Sequence, residues 1–196
     1  MRVLNLSFAV LLGVGGWSGC SKDGAGEAQP GASQGSETPP VPLTGTVPMT
    51  KLTDGQIAQV LATVDSAEIE QGQLALSKSS NPGVRDYASH MVAQHTASKE
   101  AGARLASQNG LGLAESPKAS ELQSHGTQVL ERLNTADAAS FDSTYVQAQA
   151  EQHAEVLTMI DDQLQPAVND AALREHLTKA RAMVQDHLDK AKLLQP

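Results

Sequence analysis

Hydrophobic side chains recur at intervals of three and four residues along most of the chain beyond residue 50. This spacing gathers them on one side of an α-helix, so the pattern predicts an all-α fold. Four stretches are long enough to form the long helices of a bundle: Thr53 to about Ser79, Pro82 to about Gln108, about Asp137 to Gln165, and about Asp170 to Leu194. A further stretch from Ser116 to Leu133 predicts a short helix in the connection between the second and third long helices.

Local signals mark several helix ends. Thr53-Asp-Gly-Gln56 is a capping-box pattern, in which the two polar side chains bond to each other's backbone N–H groups. Asn81-Pro82 ends one helix and starts the next, because Asn is a good N-cap and Pro is favoured at the first helical position. Helices joined by so tight a turn must lie antiparallel. Residues 51–196 are therefore predicted to form an antiparallel four-helix bundle.

The first 50 residues have a different character. Residues 1–19 combine a positively charged start with an apolar run too short to span a membrane, which predicts a secretory signal peptide. Trp17-Ser18-Gly19-Cys20 resembles a bacterial lipobox, so Cys20 is the predicted lipidation site; an ordinary signal peptide with an incidental cysteine is the alternative. Residues 20–50 are rich in Gly, Pro and Ser and predict a disordered tether, because they offer little apolar surface to bury.

Composition limits the partners and the chemistry. The chain has 196 residues and a formal charge of −8, which argues against a nucleic-acid partner. Cys20 is the only cysteine, which excludes a disulfide framework and a thiolate metal cluster. The sequence also contains no Gly-x-Ser-x-Gly, His-Glu-x-x-His or phosphate-loop motif. These features favour a protein that is not an enzyme.

Each long helix carries one polar residue within its apolar face, and these residues are Glu68, His95, His153 and His187. A buried ionised carboxylate costs on the order of several kcal/mol unless it is paired, so Glu68 requires a histidine, a metal or water. One interpretation is a hydrogen-bonded Glu–His cluster with no cofactor, and the sequence favours it. The alternative is a metal site for iron, copper or zinc with these four residues as ligands.

Two specific metal sites can be weighed against the sequence. A di-iron bundle uses Glu-x-x-His on two helices, but Val92 and Val184 stand three residues before His95 and His187. Glu151 is predicted to point outward, which leaves too few carboxylates for a di-iron centre. A copper(I) site could use the two Met-x-x-x-His pairs, Met91/His95 and Met183/His187, although methionines in such a stripe usually fill core space.

The motifs also resemble a known family. Glu68-Ile-Glu-x-Gly72-Gln-Leu-Ala-Leu76, Met91-Val-x-x-His95, Phe141-Asp-x-x-Tyr145 and His187-Leu188 are similar to the bacterial domain-of-unknown-function family 4142, over about Leu52 to Leu194. The resemblance implies a ferritin-like four-helix bundle in an exported protein and no established activity. The sequence departs from the family pattern at Gln94, where Asp usually precedes His, and in lacking Pro-x-Leu before the last His. Both departures remove features of use to a metal site or a rigid turn.

Together these observations predict an exported, lipid-anchored cell-envelope protein. Ser21 after the cysteine resembles enteric lipoproteins of the outer membrane, so the domain should face the periplasm, or be released there if Cys20 is not lipidated. The expected partners are the membrane, through the N-terminal lipid, and another envelope protein. The favoured function is a non-enzymatic interaction or stress-related module, and the alternative is a metal-binding or redox bundle.

Overall fold

The computed structural model describes residues 51–195. Within this range the chain forms five α-helices and one π-helical turn, and no strand. They are α1 (Asp54–Lys78), α2 (Pro82–Gln108), α3 (Pro117–Thr135), α4 (Phe141–Met159), the π-turn (Ile160–Leu164) and α5 (Ala171–Leu194). The predicted all-α class is therefore confirmed. The predictions for residues 1–50, including the signal peptide, the tether and the lipidation of Cys20, lie outside the described residues.

The helices pack in pairs around one hydrophobic core. α1 packs against α2 and α4 packs against α5, while α2 also contacts α5 and α1 also contacts α3. The buried side chains are mostly aliphatic. Three aromatic residues join them, and the rings of Phe141 and Tyr145 stack with their centroids 6.3 Å apart. Among residues 51–195, no helix combines the length and the apolar character that crossing a membrane requires.

The predicted caps form as the sequence indicated. The Thr53 side chain accepts a hydrogen bond from the backbone N–H of Gln56, and the Gln56 side chain accepts one from the backbone N–H of Thr53. Asn81 accepts from Gly83 at 2.9 Å, with Pro82 at the start of α2. α2 ends before Gly110, whose φ of 64° is accessible to glycine at little cost. These bonds involve residues close in sequence, which is why they could be predicted.

The connection between α2 and α4 contains a helix where the sequence predicts one, from Pro117 to Thr135 instead of from Ser116 to Leu133. α3 has 19 residues and runs alongside α1. A Cβ on Gly126 would lie 2.9 Å from the Cβ of Ala67, so the absence of a side chain at Gly126 allows the close approach of the two helices. Lys78, at the end of α1, donates to the backbone carbonyl of Leu133 at 2.9 Å and fixes the end of α3. α3 therefore packs along α1 and covers it.

The third long helix also differs from its predicted bounds. α4 begins at Phe141 rather than Asp137, because the Asp137 carboxylate accepts from the backbone N–H groups of Ala139 and Ser140 and holds a turn there. At the other end, the backbone N–H of Gln165 bonds to the carbonyl of Ile160 at 2.9 Å. This wider spacing makes a π-turn, which a hydrophobic pattern of period 3.6 does not distinguish from an α-helix.

Candidate functional site

Three helices each place one histidine in the core, and the three rings meet. His95 on α2, His153 on α4 and His187 on α5 are exposed by only 1%, 1% and 0%. Their ring centroids are 6.0 Å apart for His95 and His153, 5.1 Å for His95 and His187, and 5.3 Å for His153 and His187. One nitrogen of each ring lies within 4.8 Å of one nitrogen of each of the others. We call these three residues the trihistidine cluster.

Each ring of the trihistidine cluster also contacts a hydrogen-bond acceptor outside the cluster. His95 Nδ1 lies 2.8 Å from Asp65 Oδ1, and His153 Nδ1 lies 2.8 Å from the backbone carbonyl oxygen of Gln149. His187 Nε2 lies 2.7 Å from Gln94 Oε1. Because each of these partners accepts, the contacting nitrogen of each ring carries the proton and donates.

The other nitrogen of each ring is left with a lone pair. These atoms are His95 Nε2, His153 Nε2 and His187 Nδ1, and all three are buried without a hydrogen-bond partner. An imidazole that donates one N–H to a carboxylate, carbonyl or amide oxygen and keeps its second nitrogen free is the arrangement typical of metal-ligating histidine. The trihistidine cluster shows this arrangement three times.

The surroundings keep the imidazoles of His153 and His187 neutral. Burial lowers the pKa of His153 below its usual value, although the charge of Glu68 partly opposes the shift. Burial, reinforced by the neighbouring histidines, lowers the pKa of His187 to about 2. Because only a neutral imidazole offers a lone pair to a metal, both shifts favour the ligand form at neutral pH.

Glu68, the fourth predicted residue, lies beside the cluster rather than within it. Its side chain is only 3% exposed, and Glu68 Oε2 is buried without a hydrogen-bond partner. The nitrogens that lie within 4.8 Å of one another belong to the three histidines, and Glu68 is outside that group. The charge of Glu68 nevertheless opposes the lowering of the His153 pKa. The pKa of Tyr145 is raised mainly by burial and also by the charge of Glu68. The structure thus places a buried carboxylate near His153 of the cluster.

A match to a known family covers most of the chain. Residues 39–194 match the family described as "Domain of unknown function (DUF4142)". The chain belongs to this family. No curated protein and no solved structure matches the chain. Membership in DUF4142 therefore defines the family without supplying an activity, and the chemistry must be argued from the side chains.

The position at which this DUF4142 chain departs from the resembled motif still serves the site. Gln94 supplies the amide oxygen that accepts from His187. An amide oxygen accepts the imidazole N–H as a carboxylate would, so Gln94 offers His187 the same kind of contact. The structure also shows the contact of Asp65 with His95, which the sequence analysis missed. Asp65 precedes Glu68 by three residues and so lies on the same helix face, which was the available signal.

Buried glutamines hold α1 and α4 together near the cluster. The side chain of Gln149 donates to Gln71 Oε1 at 2.8 Å, and that of Gln152 donates to the same oxygen at 2.9 Å. Gln71 donates in turn to Gln152 Oε1 at 3.1 Å. Because Gln152 directly precedes His153 and Gln149 accepts from it, this network fixes the position of that ring against α1.

Other candidates from the sequence lie elsewhere. Met91 is fully buried in the hydrophobic core and Met183 is partly buried against it. Glu151 is exposed, as predicted. A second group, His90, Asp186 and His187, also brings ligand atoms within 4.8 Å of one another. There the Lys190 ammonium group lies 2.9 Å from His90 Nε2 and 2.6 Å from Asp186, so that a cation of the protein itself already satisfies these groups.

Proposed function

We propose that this protein binds a transition-metal ion through His95, His153 and His187. The observation that carries the proposal is the set of three buried ring nitrogens without partners, each on a ring whose other nitrogen contacts an acceptor. One nitrogen of each ring lies within 4.8 Å of one nitrogen of each of the others, so a single metal ion can contact all three rings. The residues present therefore fit a metal ion. They offer three buried nitrogen donors, and the other nitrogen of each ring contacts a hydrogen-bond acceptor.

The hydrogen-bonded Glu–His cluster favoured by the sequence is less well supported. That interpretation needs Glu68 to accept from one of the histidines, yet the three rings contact Asp65, Gln94 and the Gln149 carbonyl instead. It leaves three lone pairs and Glu68 Oε2 buried without donors. Each such group costs about 1–3 kcal/mol. A cation offsets the cost for the nitrogens directly and stabilises the adjacent carboxylate charge.

The donor set selects the class of metal. Imidazole suits zinc, copper, iron and nickel, whereas calcium and magnesium prefer oxygen ligands. Glu68 and Asp65, the second already in contact with His95, are too few carboxylates for the di-iron sites of helical bundles. Three histidines leave a coordination position for water, as in zinc sites that keep an exchangeable position. We infer that one zinc or copper ion is the natural occupant.

The proposed setting is the cell envelope. The signal-like residues 1–19 and the lipobox-like Trp17-Ser18-Gly19-Cys20 support export and anchoring through an N-terminal lipid. The pairing of α1 with α2 and of α4 with α5 supports a ferritin-like bundle as the finer description of the fold. We infer a metal-binding protein held at a membrane surface, acting by holding or transferring an ion rather than by catalysis.

Equilibrium dialysis of the untagged protein against zinc and copper tests the proposal. Wild type should retain about one equivalent, and His95→Ala, His153→Ala and His187→Ala should each lose most of it. Asp65→Asn should keep the fold and weaken binding by about 10–100-fold, because it perturbs only the outer contact of His95. His125→Ala is the matched control, since the side chain of His125 is 42% exposed and lies outside the cluster. Metal content unchanged in all three cluster variants would contradict the proposal.

A further inference from the structure

A pocket opens beside the trihistidine cluster, between α1, α3 and α4. Its volume is about 670 Å³. Ala67 and Glu68 line it from α1, Leu122 and His125 from α3, and Gln152 from α4, among other residues. The pocket exists because α3 packs closely on α1 but only loosely on α4.

Glu68 connects this pocket to the trihistidine cluster. It lines the pocket, yet it is 3% exposed and its Oε2 atom has no hydrogen-bond partner. Its charge acts on His153, the cluster residue on α4. Gln152, the neighbour of His153 in the chain, lines the same pocket. The pocket is therefore lined by the buried carboxylate of Glu68 on α1 and by the chain neighbour of His153 on α4.

The charges around the pocket favour a cation. Glu68, Glu121 and Glu155 line it together with a single ammonium group, that of Lys118. Lys118 already forms an ion pair with Glu121 at 2.8 Å. Glu155 lies 3.9 Å from His125 across the gap between α4 and α3. A cleft lined by an excess of carboxylates concentrates cations and speeds their arrival.

A second pocket approaches the cluster from the opposite pair of helices, α2 and α5, but suits this purpose less well. Gln94, His176, Lys179 and Asp186 contribute to its lining. Its residue nearest the cluster, Gln94, already has its oxygen engaged by His187. The Lys179 ammonium group also adds positive charge there. Glu68 Oε2, which is buried without a hydrogen-bond partner, belongs to a residue that lines the first pocket.

We propose that the pocket between α1, α3 and α4 is the route by which the metal ion enters the trihistidine cluster. Glu68 is the positioning residue on this route, taking the ion from the pocket and delivering it to the histidines. The inference rests on the proposed function, since it describes how the same site is filled. The step is a transfer of a divalent cation between ligands and involves no redox change.

The test is a stopped-flow measurement of loading with zinc alone, read by a zinc-sensitive chromophoric chelator. Glu68→Gln removes the charge and keeps the shape of the side chain. Leu122→Trp partly fills the pocket from α3, which does not contribute to the cluster. Both should slow loading by at least about tenfold while still reaching about one equivalent of zinc at saturation. Ser98→Trp, which fills the second pocket, should leave the rate within about twofold of wild type.

The possible results of this experiment distinguish a failure of the proposed entry route from a failure of the proposed metal site. An unchanged loading rate in either Glu68→Gln or Leu122→Trp would overturn the route and leave the proposed function intact. Loss of stoichiometric zinc in Glu68→Gln at saturation would make Glu68 an obligatory ligand and would also overturn its assignment as a positioning residue. Wild type that binds no zinc would instead overturn the proposed function and the route with it.

Discussion

Lowering the pH from 7 to 5 should reduce the free energy of unfolding of the metal-free protein by about 2–4 kcal/mol. An unfolded histidine titrates near pH 6.5, whereas burial lowers the pKa of folded His153 and lowers that of folded His187 to about 2. Below pH 6.5 the unfolded chain therefore binds protons that the folded protein excludes. Each such histidine then costs about 1.4 kcal/mol of stability per pH unit, down to its folded-state pKa.

The direction of the change in stability, and the pH range in which it occurs, identify histidine as its source. Stability should be flat above pH 6.5 and fall below it, because a lowered histidine pKa favours the unfolded state only where that state is protonated. Exposed carboxylates such as Asp161, whose pKa is lowered by the hydrogen bond from Arg181, affect stability only at more acidic pH. Urea unfolding at several pH values measures the effect, and the variant His153→Gln/His187→Gln should flatten the profile between pH 6.5 and 5. A wild-type stability that is constant over this range would contradict the assignment of buried neutral imidazoles.

Replacing Leu177 by Ala should lower the free energy of unfolding by about 2–5 kcal/mol. Leu177 lies on α5 with 0% exposure, so the substitution removes buried methyl groups and leaves a cavity. The matched control is Leu193→Ala on the same helix, where the leucine is 85% exposed. The control should change stability by no more than about 0.5 kcal/mol. Equal losses for both variants in urea unfolding would contradict the placement of α5 against the core.

The helices and their caps could be predicted because they depend on residues close together in the chain. The apolar spacing determines the face of each helix, and Thr53 with Gln56 or Asn81 with Pro82 determines where a helix begins. The packing of α3 along α1 was not predicted because it depends on the close approach of Gly126 and Ala67, which are far apart in sequence. The π-turn after α4 was missed because one wider hydrogen bond hardly changes the pattern of apolar positions.

The candidate site, too, could be predicted only in part from the sequence. Helical wheels are enough to indicate that His95, His153 and His187 point toward a common interior. They do not give the relative heights and rotations of neighbouring helices, on which the contacts of Asp65 with His95 and of Gln94 with His187 depend. Those outer contacts decide which nitrogen of each ring carries a lone pair. We therefore propose a metal site held by the three histidines, with Glu68 beside it, in place of the hydrogen-bonded cluster that the sequence favours.

X-ray absorption spectroscopy of the zinc-loaded protein tests the trihistidine site most directly, because it reports the ligands of the bound ion itself. The spectrum should show three imidazole ligands and zinc–nitrogen distances of about 2.0–2.1 Å. His95→Ala should reduce the imidazole count to two in whatever fraction still binds, and His125→Ala should leave the spectrum unchanged. A zinc shell made of oxygen ligands alone, or one identical in wild type and His95→Ala, would contradict the trihistidine site.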